Sequence, residues 1–201
     1  SGIVECNSRP LRELSVRELA RARSVLGQDL AVTFGFTVAE VVAWGRAPWR
    51  GTDHMKEDAG AIERAMQVTQ ITSLRERRIN QLSGGERKRV HIARVIAQNC
   101  PLMFFDEPDS DLDLVGTNEL DAMLRSLNQK GHTLLVSSHN LSWISGLATH
   151  VILMGAHKIV GAGPTREILT PELLSQAYGQ AINVAWGIDT SGREIAMCTA
   201  S

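Results

Sequence analysis

Three short motifs in a set order constrain this chain more than any other feature of its sequence. Leu82-Ser83-Gly84-Gly85-Glu86 comes first, the apolar run 102–105 with Asp106-Glu107-Pro108 comes second, and His139 comes last. A Ser-Gly-Gly turn that opens a helix can bind phosphate, and an apolar strand that ends in two carboxylates can hold magnesium and a water. Together these motifs indicate the chemistry of a nucleoside triphosphate.

One motif that usually accompanies such chemistry is missing from the sequence. The loop G-x-x-x-x-G-K-[ST], which cradles the phosphates of a bound nucleotide, occurs nowhere in the 201 residues. The chain therefore has most of the parts of a nucleotide site without its principal phosphate-binding loop.

Composition excludes several functional classes. The 21 Lys and Arg residues balance 22 Asp and Glu residues, so no overall field draws the chain to nucleic acid or to an acidic membrane. The cysteines Cys6, Cys100 and Cys198 are far apart and form no C-x-x-C pair, which argues against a disulfide framework or a zinc site. No apolar run approaches the roughly 20 residues that span a bilayer. We expect a soluble chain in a reducing, cytosolic setting that meets a membrane only through a partner.

Hydrophobic periodicity and capping signals predict the order of helices and strands. Capping boxes at Ser15-Val16-Arg17-Glu18 and Thr37-Val38-Ala39-Glu40 predict two helix starts. Further helices are predicted over 55–71, 87–98 and 119–129 and around Trp143, and strands over 24–28, 102–105, 133–138, 151–154 and 159–161. The alternation in the second half predicts a parallel sheet covered by helices, and the helical stretch 37–80 predicts a subdomain outside that sheet.

The Ser83 turn has a structural interpretation and a functional one. Ser83 and Glu86 alone form a capping box, which in most proteins only starts a helix. The pair Gly84-Gly85 favours a functional role, because two residues without side chains let an oxyanion reach backbone N–H groups at the positive end of a helix. We therefore predict that this turn binds phosphate.

Four further residues, at three strand ends, are candidates for catalysis or metal binding. Ligands of open α/β sheets gather at the carboxyl ends of the strands, so Asp106 would bind Mg²⁺ and Glu107 would take a proton from the attacking water. A lone histidine is more often structural, but His139 follows the next apolar strand and would lie on the same rim. Gln28, at another strand exit, could complete a magnesium shell or orient water.

With these motifs in this order, the chain resembles the ATP-binding subunit of an ABC transporter. The resemblance implies the P-loop NTPase fold of the ABC cassette, an α/β fold with a parallel-sheet core and a helical subdomain, here N-terminally incomplete. It assigns the signature motif to Leu82-Ser83-Gly84-Gly85-Glu86, the Q-loop to Gln28 and the switch histidine to His139. It also identifies Ser110-Asp111-Leu112-Asp113 as the D-loop, which makes Asp113 a nucleotide contact.

The resemblance also implies a division of the chain, cofactors, partners and a location. Residues 1–36 would be part of the ATPase core with the Q-loop, 37–90 the helical subdomain ending in the signature motif, and 91–201 the remaining core. ATP and Mg²⁺ are the implied cofactors, and the implied partners are a second ATP-binding subunit, most simply in a homodimer, and transmembrane permease subunits. The subunit would lie at the cytoplasmic face of the membrane, held there by the permease.

A finer resemblance concerns the transported substrate. The segment from Phe36 to Trp49 contains Val42-Ala43-Trp44-Gly45-Arg46-Ala47-Pro48, which is similar to a Val-x-x-Gly-Arg-x-Pro pattern in importers of iron-siderophore complexes, haem and vitamin B12. Alternatively, Trp44 and Trp49 are simply core residues of the helical subdomain.

The missing phosphate loop weakens the expected site of this chain. Losing several charge-assisted hydrogen bonds, at about 1.5 to 3 kcal/mol each, removes more than about 5 kcal/mol of binding. Each 1.4 kcal/mol is about tenfold, so a micromolar site would weaken beyond millimolar affinity. The chain alone is then expected to be inactive, although its signature turn could still close on a nucleotide held by a partner's loop.

Three alternatives to this interpretation remain. The first is a non-catalytic regulatory or interaction module that keeps the signature face. The second is a serine hydrolase using Ser137 or Ser138 with His139, which the absence of a G-x-S-x-G elbow argues against. The third is a translation or DNA-repair ATPase of the same superfamily, which the single cassette and the short helical insertion argue against.

Overall fold

The structure, a computed structural model, describes residues 2–6, 8–28, 35–110 and 112–200 and consists of two compact units. The first unit is Ser1–Ser137 and the second is Ser138–Ser201. The α-helices of the first unit are α1 (Val16–Ala22), α2 (Val38–Ala43), α3 (Asp58–Val68), α4 (Gly84–Gln98) and α5 (Leu114–Gln129). Its strands are β1 (Glu5–Cys6), β2 (Arg9–Pro10), β3 (Arg23–Leu26), β4 (Leu102–Asp106) and β5 (Thr133–Ser137).

The central sheet of the first unit is parallel, as predicted, with the strand order β3-β4-β5. Its register places Leu26 beside Phe105 and Asp106 beside Ser137, so the carboxyl ends of the three strands share one edge. Fully buried side chains on these strands, such as Leu26, Met103 and Phe105, hold the sheet in the core. The short strands β1 and β2 form a separate antiparallel ribbon.

The helical subdomain packs α2, α3 and α4 around a single apolar cluster. Its buried members are Val38, Val41, Val42, Ala65, Met66, Ile71, Ile79, Leu82, Val90, Ala93 and Ala97. Both capping boxes predicted from the sequence are present, with Ser15 capping α1 and Thr37 capping α2. Each box pairs its hydroxyl with a glutamate three positions on, which is why short local sequence was enough to locate these helix starts.

Two predicted helices have different limits in the structure. The helix predicted over 55–71 is α-helical only over Asp58–Val68, since Asp53–Glu57 is a 3-10 turn and the Thr69 hydroxyl bonds back to the Ala65 carbonyl at the helix end. The helix predicted over 119–129 begins earlier, at Leu114, because the Asp113 side chain caps it. The first turn of α5 opens on Leu114 and Val115, which are apolar but exposed, and Gly116 follows them, so the buried-face pattern of the helix does not reach back to this start.

The Gly-Arg-x-Pro segment packs against the C-terminal end of α4. The Arg46 guanidinium, which is buried, donates to the carbonyls of Ala97 (3.0 Å) and His54 (3.2 Å) and to the Asp58 carboxylate (2.7 Å). A side chain on Gly45 would collide with the carbonyl oxygen of Arg94. The segment therefore has a structural role, because it satisfies carbonyls at the helix end that have no partner inside the helix.

The two tryptophans of this segment belong to the same packing. Trp44 meets Phe36 edge to face, with ring centroids 4.9 Å apart. The indole N–H of Trp49 donates to the Gln98 carbonyl at 2.7 Å. Neither is a core residue, however, because Trp44 is 36% exposed and Trp49 is half-buried, so the alternative that both belong to the core of the helical subdomain is wrong.

The second unit combines hairpins with short helices. Its elements are α6 (Leu141–Leu147), β6 (His150–Gly155), β7 (Lys158–Pro164), α7 (Thr165–Ile168), α8 (Pro171–Tyr178), β8 (Ile182–Ile188) and β9 (Glu194–Ala200). The strands predicted over 151–154 and 159–161, joined by a turn, form as β6 and β7, which pair antiparallel. Ala156 and His157 both have positive φ, which is the geometry of a tight hairpin turn.

The last hairpin, β8 with β9, was not predicted from the sequence. Its turn contains Asp189, whose carboxylate accepts from the amides of Ser191 and Arg193, and Gly192 with φ +80. Such Asx turns followed by glycine are a hairpin signal that could have located it. Among the described residues, no helix is both long and apolar enough to cross a bilayer.

Candidate functional site

A cleft of about 460 Å³ opens in the first unit at the carboxyl edge of the sheet. It is lined by Leu26, Gly27, Gln28, Gly84, Gly85, Arg87, Lys88, Asp106, Glu107, Ser110 and Leu112. Five of the predicted site residues therefore lie on one cleft: Gln28, Gly84, Gly85, Asp106 and Glu107. Strand ends and the N-terminus of α4 bring them together, although they are far apart in the sequence.

The signature turn is held by a reciprocal capping box. The Ser83 hydroxyl accepts from the Glu86 amide at 3.3 Å, and the Glu86 carboxylate accepts from the Ser83 amide at 2.8 Å. The backbone and hydroxyl hydrogen bonds from Ser83 lower the pKa of Glu86 below its ordinary value. The predicted helix start is thus confirmed, and the structure gives the Glu86 carboxylate a capping role.

The packing of this chain does not require glycine at positions 84 and 85. A methyl group added at either position would meet no atom within 4 Å, and neither residue has positive φ. Their N–H groups lie in the first turn of α4, and the capping box uses the amides of Ser83 and Glu86 instead. The absence of side chains leaves these amides open to an approaching anion, at the positive end of a fifteen-residue helix.

The two strand-end carboxylates have different surroundings. The Asp106 carboxylate accepts from the Ser137 hydroxyl at 2.5 Å, and the same hydroxyl accepts from the Glu107 amide at 3.0 Å. Ser137 therefore orients Asp106 and holds the backbone that follows it. Sequence reasoning gave Ser137 no part in this site, although its place at the end of the next parallel strand was a usable signal.

Glu107 has a strained backbone. Its φ is +46, a left-handed conformation that residues with side chains adopt infrequently and that clusters at functional sites. The Glu107 amide also donates to the Ser137 carbonyl at 3.2 Å, and its carbonyl accepts from Lys88 and Ser110. The surrounding hydrogen bonds thus hold the residue in this conformation.

Two other predicted residues have different positions. Asp113 is the N-cap of α5, where its carboxylate accepts from the Gly116 amide at 2.7 Å, and it is not among the residues that line the cleft. His139 follows β5 and lies in the second unit, just before the N-cap residue of α6. The nucleotide contacts predicted for both residues stay predictions. Asp111 of the D-loop lies outside the described residues.

The residues present fit a magnesium ion held jointly with a substrate. The described part of the chain contains no group of three or more His, Cys, Asp or Glu side chains that could form a metal cage. Mg²⁺ in phosphate-binding sites is typically held by one or two carboxylates together with phosphates and water. Asp106, with Gln28 on the same cleft, is the donor set that such a site needs.

Comparison with known proteins shows which family the chain belongs to. The family model described as "ABC transporter" matches residues 1–110. The hemin import ATP-binding protein HmuV of Streptomyces coelicolor is 39% identical over 183 residues, which cover 91% of this chain and 65% of that protein. The ferric enterobactin transport ATP-binding protein FepC of Escherichia coli is 38% identical over 181 residues, covering 89% of this chain and 67% of that protein. The chain spans a little under two thirds of the length of the HmuV relative.

Solved structures show the same fold. A metal-chelate type ABC transporter in an inward-facing conformation matches with a TM-score of 0.79 and 24% identity, covering 97% of this chain and 77% of that one. The dimeric cassette MJ0796 matches with a TM-score of 0.72 and 23% identity, covering 83% of this chain and 74% of that one. The parallel sheet, the helical subdomain and the family match together show that this chain belongs to the ABC transporter family and has the fold of its ATP-binding cassettes.

Proposed function

We propose that this chain is the signature-bearing part of an ATP-binding subunit in an ABC importer, and that the imported substrate is an iron chelate or haem. The substrate class rests on relatives named for hemin, ferric enterobactin and iron(3+)-hydroxamate import. The importer would act through a permease that docks on the helical subdomain, and the subunit would lie at the cytoplasmic face of the membrane.

The site residues divide the chemistry among them. In a subunit that has its phosphate loop, Glu107 would take a proton from the attacking water, Asp106 and Gln28 would hold Mg²⁺, and His139 and Asp113 would contact the nucleotide. ATP supplies the γ-phosphoryl group that is transferred to water. The Ser137 hydroxyl keeps the Asp106 carboxylate in one orientation, which is the condition for precise metal placement.

The single observation that carries the proposal is the shared cleft. Gly84 and Gly85, two positions where the packing does not require glycine, open onto the same cleft as Asp106 and Glu107. We infer that Ser83, Gly84 and Gly85 clamp a nucleotide bound to the phosphate loop of a second ATP-binding subunit. The 201 residues, which have no such loop, would then be inactive alone and active in a pair.

A mixing experiment tests this proposal. The partner is a complete ABC ATP-binding subunit that has its phosphate loop and carries arginine in place of its signature serine, so that its homodimer cannot clamp ATP. Adding the purified chain is expected to restore ATP hydrolysis, while the chain alone hydrolyses none. The variants Ser83→Arg and Gly85→Ala should not restore it, because each blocks the approach of phosphate to the helix N-terminus. Lys130→Met, on an exposed residue at the end of α5, serves as the matched control.

The same mixture distinguishes the main alternative. A regulatory module would bind the partner, seen as a heterodimer by light scattering, without restoring turnover. Hydrolysis by the chain alone would contradict the proposed dependence on a partner's phosphate loop. Restoration by Gly85→Ala equal to that by the unaltered chain would contradict the clamp.

A further inference from the structure

Lys88, in the second turn of α4, makes contacts that the proposed function does not use. Its side chain is only 9% exposed, although lysine is almost never buried without partners. The ammonium group donates to the Glu107 carbonyl at 3.0 Å, the Ser110 carbonyl at 2.5 Å and the Ser110 hydroxyl at 2.8 Å. All three acceptors belong to one turn directly after β4.

This turn also has internal hydrogen bonds. The Ser110 amide and the Ser110 hydroxyl both donate to the Glu107 carbonyl, at 3.2 Å and 3.0 Å. If Lys88 were replaced by a residue without a donor, all three of its hydrogen bonds between the turn and α4 would be lost. Lys88 therefore fastens the residue with the strained backbone, Glu107, to the helix whose first residues are Gly84 and Gly85.

We propose that Lys88 is a positioning residue that locks the 107–110 turn to the signature helix. The inference rests on the proposed function, because it matters for catalysis only if the signature turn clamps a nucleotide held by a partner's phosphate loop. With Lys88 in place, the strand-end carboxylates and the Ser83 turn keep one relative geometry. Binding of a nucleotide at the signature turn would then shift, through Lys88, the 107–110 turn that leads into the D-loop.

The chemistry of the side chain suits this role. A lysine ammonium has three donors on a compact centre, and here it meets three oxygen acceptors. Arginine keeps the charge but presents a planar fork that cannot point at the same three oxygens, and methionine keeps the apolar stem without any donor. The series Lys, Arg, Met therefore removes the bonds stepwise while the stem stays largely filled.

Hydrogen exchange on the full 201-residue chain tests the lock directly. Lys88→Met is expected to raise the amide exchange rates of Ser110 and Leu112 by about tenfold, because the charge-assisted hydrogen bonds from the ammonium group to the turn are lost. Lys88→Arg should give a smaller rise, and Lys130→Met, a lysine on the exposed end of α5, should give none. Exchange in 107–112 that is unchanged in Lys88→Met overturns the proposal.

The mixing assay supplies the catalytic readout. With the signature-blocked partner, Lys88→Met is expected to lower kcat about tenfold and to leave KM for ATP within about twofold, since positioning and not ground-state binding is lost. Lys88→Arg should recover part of the rate. An unchanged kcat with faster exchange would make Lys88 merely structural and overturn the positioning role. If the unaltered chain restores no hydrolysis, the proposed function fails, and the exchange measurement alone decides whether the lock exists.

Discussion

The Ser137 hydroxyl at the end of β5 donates to the Asp106 carboxylate at the end of β4, with 2.5 Å between the two oxygens. The same hydroxyl accepts from the Glu107 amide at 3.0 Å. Ser137→Ala is expected to reduce the free energy of unfolding by about 1 kcal/mol, because one bond to a charged group and one to an amide are lost at a solvent-exposed edge. Urea denaturation measures this.

Ser137→Thr is the matched control for that prediction. Threonine keeps the hydroxyl and suits a strand, so its free energy of unfolding should stay close to that of the unaltered chain. A loss for threonine equal to the loss for alanine would contradict a role for the hydroxyl.

The close approach of Gly45 to α4 predicts a large effect of a single methyl group. Gly45→Ala would drive a Cβ into the Arg94 carbonyl oxygen, which belongs to rigid helix backbone. We expect a loss of about 3 kcal/mol in the free energy of unfolding, since the helix and the Arg46 hydrogen bonds must shift. Thermal and urea unfolding of the chain report it.

Gly84→Ala is the contrasting variant, because its added methyl group meets nothing within 4 Å. Its stability should equal or slightly exceed that of the unaltered chain, since alanine is the better helix former. Equal destabilisation by both substitutions would show that the two glycines have the same structural role.

The capping box at the start of α4 predicts a pH-dependent contribution to stability. Hydrogen bonds from the Ser83 amide and hydroxyl lower the pKa of Glu86 below 4.5 in the folded chain. Because the folded pKa is the lower one, the stabilisation is fully present above 4.5 and is lost as the pH falls through the folded pKa.

Glu86→Gln measures this contribution, because glutamine keeps the accepting oxygen and has no charge to lose. The difference in free energy of unfolding between the two proteins should be largest near about pH 7 and shrink toward about pH 3. Comparing the two proteins at each pH cancels the similar effect of Glu18 and Glu40 in the other capping boxes. A difference that is constant with pH would contradict the assignment.

Burial of Cys100 predicts unequal reactivity of the three cysteines. Cys100 is fully buried, and burial raises the pKa of its thiol to about 11. Because only the thiolate reacts, Cys100 should react with a disulfide reagent at about pH 8 more than about a hundredfold more slowly than Cys6, which is partly exposed.

Mass spectrometry after timed labelling measures the three rates, and labelling in urea is the control. All three thiols should react at similar rates once the chain is unfolded. Native labelling of Cys100 as fast as that of Cys6 would show that the interior of the first unit opens readily.

Local features of the fold were predictable from local sequence. The capping boxes at Ser15, Thr37 and Ser83 were located because each uses residues within one helical turn. The strand before Asp106 was located because a buried strand needs an apolar run. Hairpin β8–β9 was missed, since its strands contain Trp186 and Gly187 and show no clean alternation.

Contacts between distant segments were not predictable in the same way. The sequence around Lys88 predicts a helix but does not indicate that the ammonium group reaches Glu107 and Ser110, because that contact depends on where α4 lies beside β4. Arg46 is a similar case, since its partner Ala97 is remote in sequence. The role predicted for His139 stays a prediction.

The sequence by itself determined the family, the order of the motifs and the residue types available for chemistry, because spacing along the chain sets helix starts and strand ends. Only the tertiary structure decided that Gly84 and Gly85 open onto the same cleft as Asp106 and Glu107. It also decided that Ser137 and Lys88 hold this edge of the cleft. The physical reason is that hydrogen bonds and burial act through space, and the parallel register of β4 and β5 brings distant residues within reach of each other.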